Sequence, residues 1–105
     1  MKISLIVKYA KLPDDVKTPE ALSRFLIIES VARRYPQGMP RTESRMYAKL
    51  LDQFYEEKTT IDVDEQTFLL IKESLDQSTL PAHMSSWKWA LLDHLEKCAE
   101  KKKDG

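Results

Sequence analysis

Three sets of residues could carry chemistry in this chain, and each has its own spacing. The first is basic. Arg41, Arg45 and Lys49 recur every fourth residue just after a proline-flanked break, and Arg33 and Arg34 precede that break. Arginines beside the free N–H groups of a helix start suit a phosphate or carboxylate. The competing use is pairing with acids elsewhere in the chain, such as Asp14, Asp15, Asp64 or Glu65.

The second set is His94 and Cys98, one helical turn apart. That spacing fits metal ligation or a histidine-activated thiolate. Only His83 could join them, whereas a structural zinc site takes four ligands. A core-facing position is therefore the expectation, since free cysteine is commonly buried. The third set is acidic: Asp14-Asp15, Glu56-Glu57 and Asp62 with Asp64. No glycine-bearing calcium loop surrounds them, and helix capping accounts for Asp62 and Asp64. Phosphate-binding loops, nucleophile elbows and metalloprotease motifs are missing from the sequence. The expectation is a non-enzyme without cofactor or metal.

The aromatic residues point elsewhere. On a helix, Trp89 lies about 200° around from Trp87, so one tryptophan faces the core and the other faces away. Leu92 neighbours Trp89, and Leu70 on the preceding helix projects almost opposite to its own core face. Trp89, Leu92 and Leu70 thus predict a second apolar surface. Tryptophan is enriched at interface hot spots, where one residue can be worth ~2 kcal/mol or more.

Composition supports a folded protein: of 105 residues, 42% are hydrophobic and 32% charged. No apolar run approaches the ~18 residues of a membrane span. The start near Met1 lacks a small-residue cleavage site and reads as part of the domain rather than a leader. A lone cysteine suits a reducing compartment, so a cytoplasmic location is expected. Net charge is zero but uneven, with ten Lys/Arg against five Asp/Glu over residues 1–49 and two against eight over 50–80. The two parts could face each other within the fold, or could drive head-to-tail association.

The elements that position these residues follow from local patterns. Ile3, Leu5, Val7 and Tyr9 alternate with Lys2, Ser4 and Lys8, a strand pattern over 2–9. Thr18-Pro19-Glu20 opens a helix running to Arg34, with Ala21, Phe25, Ile28, Val31 and Ala32 as its apolar arc, widened by Leu22 and Leu26. After the break at 35–41, Thr42 caps a helix to about Lys58 that buries Met46, Tyr47, Leu50, Leu51, Phe54 and Tyr55. Residues 59–63 form a short strand that pairs with the first. Asp62 or Asp64 caps a helix to Gln77 with Phe68, Ile71 and Leu75 inward. A last helix from Ser85 or Ser86 to Lys101 faces Trp87, Ala90, Leu91, His94, Leu95 and Cys98 inward.

The predicted fold is mainly helical α+β, four helices with a two-stranded β element in β-α-α-β-α-α order. A single domain over 1–98 precedes a frayed charged tail over 99–105. The helix dipole divides the basic cluster. Arg33 and Arg34 end a helix, where cations are favoured, whereas Arg41, Arg45 and Lys49 begin one against its field. Like charges at i,i+4 add to that cost.

The functional expectation is a small non-catalytic interaction, assembly or adaptor protein. It would self-associate or bind a protein partner, away from membranes, as accessory proteins of bacteria and phages do. The alternative is an anion- or nucleic-acid-binding module on Arg41, Arg45 and Lys49 with Arg33 and Arg34. Nucleic acid is the weaker partner, because the connection is long for a helix–turn–helix and the chain has no basic excess.

Overall fold

The computed structural model describes residues 1–104, with side chains through residue 100. Its elements are β1 (Lys2–Ser4), α1 (Pro19–Arg34), α2 (Arg41–Tyr55), β2 (Thr60–Asp62), α3 (Glu65–Gln77), a 3-10 turn (Ala82–Met84) and α4 (Ser85–Asp104). This is the mainly helical α+β order that the sequence predicts. The strands pair antiparallel, Ile3 opposite Ile61, with Lys2 opposite Asp62 and Ser4 opposite Thr60.

The first strand is shorter than its pattern. β2 supplies only three partners, so the ladder stops at Ser4. Alternation persists beyond it: Leu5 and Val7 are buried and Ile6 and Lys8 exposed. The Leu5 N–H still reaches the Thr59 carbonyl at 2.7 Å.

Side-chain caps set two helix starts. Thr18 accepts the Ala21 N–H at 3.3 Å with Pro19 at the first helical position. Asp64 accepts the Thr67 N–H at 2.7 Å. That hydrogen bond, together with one from the Thr67 side chain, holds the Asp64 carboxyl below its usual range. Lys49 helps from a distance.

α2 departs from expectation at both ends. It starts one residue before Thr42, after Pro40, and has no side-chain cap. It stops at Tyr55 because Glu57 turns left-handed at φ 56°, a position glycine usually takes. Gly38, at φ 111°, makes the other left-handed step and donates its N–H to Tyr35 to close the turn between α1 and α2.

α3 is the central helix, packed against α1, α2 and α4. The core gathers Ile3 and Leu5, Leu22, Leu26 and Ile27 of α1, Leu50 and Phe54 of α2, Ile71 and Leu75 of α3, and Leu91 and Leu95 of α4. α1 buries only part of its expected arc: Leu22, Leu26 and Val31 are buried. Phe25 is 44% exposed and Ile28 is also exposed, while Ser23 and Ser30 are wholly buried.

Small hydroxyls let the backbones approach where longer side chains would hold them apart. Ser23 Oγ donates to the Leu5 carbonyl at 2.7 Å, which leaves its lone pairs for the Tyr9 hydroxyl at 2.7 Å. Ser78 Oγ lies 3.3 Å from Ser30 Oγ where the end of α3 meets α1. Tyr55, expected inside, is exposed because α2 ends there.

α4 continues to Asp104, past the expected end at Lys101, and Ala99 packs against the core. The side chains of 101–105, on which most of the expected frayed tail falls, lie outside the described residues, as does Gly105 itself.

Candidate functional site

α3 presents to solvent a strip formed by Glu65, Leu69, Glu73 and Asp76, three acids around one leucine. The neighbouring helix α4 presents Trp89, Asp93 and Glu96. Between them runs a groove of about 270 Å³ lined by Leu69, Lys72, Glu73, Asp76, Trp89 and Leu92. Trp89 is 53% exposed and Leu69 47%. Lys88 holds the tryptophan from one side. Its Nζ lies 5.6 Å from the ring centroid and donates to the Asp76 and Ser78 carbonyls at 3.2 and 3.3 Å, at the cationic-favoured end of α3. Lys72 and Glu96, 3.9 Å apart, bridge the groove.

The apolar surface expected from Trp89, Leu92 and Leu70 is corrected in two of its three members. Leu92 is 3% exposed and Leu70 4%, so both are packing residues. α3 is covered on three sides, which widens its buried arc far enough to take in Leu70. Leu92 belongs to the core and forms the wall of the groove. The exposed leucine is Leu69, which the pattern reading passed over. Its signal was present: Glu65, Glu73 and Asp76 at i−4, i+4 and i+7 put it on the polar face.

Leu69 and Glu73 also border a second hollow of about 330 Å³, where α1, α2 and α3 meet. Arg34 lies there, bound to Glu73 at 3.3 Å and to Ser74 Oγ at 3.4 Å, and stacked 5.3 Å from the Tyr35 ring centre. Arg33 pairs with Glu29 at 3.5 Å and donates to the Thr79 carbonyl at 3.3 Å. Both arginines are therefore engaged within the fold. Arg41, Arg45 and Lys49 are not: all are exposed on α2, and among the described residues none has an acid within 4.0 Å. Among the described residues, ion pairs within 4.0 Å join the two parts of unlike charge at Arg34 with Glu73 and at the amino terminus with Asp62.

His94 and Cys98 have a structural role. His94 Nε2 donates to the Ser4 carbonyl at 2.8 Å, tying α4 to β1, and Cys98 Sγ lies 3.7 Å from that same nitrogen. A nitrogen whose proton is committed to a carbonyl cannot take one from the thiol. Among the described residues no three His, Cys, Asp or Glu side chains gather at metal-binding range, and no helix is long and apolar enough to cross a membrane. Comparison with protein-family models, curated proteins and solved structures found no match to this chain.

Proposed function

We propose that this chain is a small non-catalytic interaction protein that assembles with copies of itself. The carrying observation is the groove between α3 and α4, where Trp89 and Leu69 stand exposed within a rim of acids. An exposed tryptophan beside an exposed leucine is the kind of anchor that dominates interface energetics. The basic face of α2 supplies a complementary surface: Arg41, Arg45 and Lys49 without partners among the described residues, opposite in sign to Glu65, Asp76 and Asp93. A net charge of zero lets copies approach without mutual repulsion. Contact between two different faces is heterologous, so it builds rings or chains rather than isolated two-fold dimers.

Sedimentation at micromolar concentration tests the reading. A dimer or larger species is expected at low salt, and it should dissociate in high salt and in the Trp89→Ala and Arg45→Glu variants. A strict monomer at low salt refutes it.

The uncapped start of α2 favours one other reading, an anion- or nucleic-acid-binding surface on Arg41, Arg45 and Lys49. It predicts binding of DNA, RNA or polyphosphate that falls steeply with salt. A low-salt shift assay without binding removes it.

A further inference from the structure

A different cleft, of about 330 Å³, opens between the 13–16 turn, α1 and the start of α4. That volume sits at the lower end of the ~300–1,000 Å³ of small-molecule sites. Its walls are mostly apolar and include Val16, Phe25, His83 and Trp87, with Asp15 as the only charged side chain among the lining residues.

The aromatic rings are placed rather than loose. Trp87 donates its indole N–H to the Lys11 carbonyl at 2.8 Å, which fixes the ring. His83 stands edge-on to it, with centroids 6.2 Å apart and planes at 87°, so the two rings make a right-angled corner. Phe25, turned out of the core by the serine face of α1, lines the same cleft. Asp15 is exposed and has no ion pair among the described residues.

Aromatic faces attract cations, and quaternary ammonium groups are held by such aromatic corners. An apolar neutral ligand would use the walls but have no use for the carboxylate. An anion would be repelled by it. We propose that this cleft binds a small organic cation, an alkylammonium group, with Phe25 and Trp87 against its methyl groups and Asp15 balancing its charge. The site is separate from the α3–α4 groove and does not depend on self-association.

The test follows the Trp87 indole N–H by NMR in a Trp89→Phe background, which leaves a single indole signal. The protein is titrated with choline, with its neutral carbon isostere 3,3-dimethylbutanol, and with a short peptide bearing trimethyllysine. Choline should shift the signal saturably in the millimolar range, and the isostere should bind at least about five-fold more weakly. Asp15→Asn should weaken choline but leave the isostere unchanged, and Phe25→Ala should weaken both. Both residues are exposed, so the variants keep the fold, which circular dichroism checks. Saturation by the peptide at lower concentration assigns the cation to a protein side chain, and earlier saturation by choline assigns it to a free molecule. Either supports the site. Equal affinity for choline and isostere overturns the proposal, as does the absence of any shift.

Discussion

Helix α1 buries serines and exposes a phenylalanine, so the cost of substitution along it should run against hydrophobicity. Ser23→Ala is the sharpest case. The change keeps the volume nearly constant but removes the donor to the Leu5 carbonyl and the acceptor of the Tyr9 hydroxyl, both at 2.7 Å. Leu5 is wholly buried, and among the described residues no other hydrogen bond reaches its carbonyl. Stranding such a group costs about 1–3 kcal/mol. Tyr9 is only half-buried and can find water, so it adds less, and the sum is about 2–3 kcal/mol. Tyr9→Phe leaves Ser23 bonded to Leu5 and should cost roughly 0.5–1.5 kcal/mol. Phe25→Ser, at a side chain 44% exposed, should cost about 1 kcal/mol.

Urea unfolding followed by circular dichroism separates the three variants. With a slope of about 1–3 kcal/mol per molar, Ser23→Ala should lower the midpoint by roughly 1–2 M. In the double variant the losses should fall short of additive, because Ser23→Ala no longer strands a phenol. Alkaline titration gives a second readout. Burial pushes the Tyr9 hydroxyl up to about 12. A raised folded pKa means its stabilisation is complete below the ordinary tyrosine value near ~10 and is lost as pH climbs towards the folded value. Tyr9→Phe should remove that alkaline loss. If Ser23→Ala proves no more costly than Phe25→Ser, the packing argument for α1 is wrong.

The remaining predictions concern packing and capping. Leu70→Ala and Leu92→Ala should each destabilise by about 2–4 kcal/mol, read as lower thermal midpoints, while Trp89→Ala stays near wild type in stability. A Leu70→Ala variant that melts like the parent would return Leu70 to the surface. Asp64→Ala should cost about 1 kcal/mol of stability through the lost cap of α3. Because the Asp64 carboxyl titrates below its usual range, its contribution is present above the unfolded carboxylate pKa and disappears as pH falls through the folded one. Asp64→Asn should keep most of the cap and lose that acid dependence, as denaturation at stepped pH would measure.

Element order, strand pairing and two helix starts were legible from residue order because each rests on neighbours a few positions apart. Thr18-Pro19 caps α1, Asp64 caps α3, and alternation places Ile3, Leu5 and Val7 on one side. The split of the basic cluster was legible too, since a helix dipole acts within one turn: Arg33 and Arg34 are engaged, and Arg41, Arg45 and Lys49 stand free of ion pairs among the described residues. The direction each helix turns its side chains was not. A hydrophobic arc as wide as that of α1 admits several rotations, and the serine hydrogen bonds that select one come from Leu5, Tyr9 and Ser78, distant in the chain. Likewise Leu69 and Leu70 are equivalent in type. Acids one and two turns away mark Leu69 as facing solvent, but the burial of Leu70 comes from the neighbours around α3, which cover it and leave Leu69 beside Trp89. Local physics thus set which segments form and where they begin, whereas burial, which depends on the number of neighbours covering each face, settled which residues remain exposed.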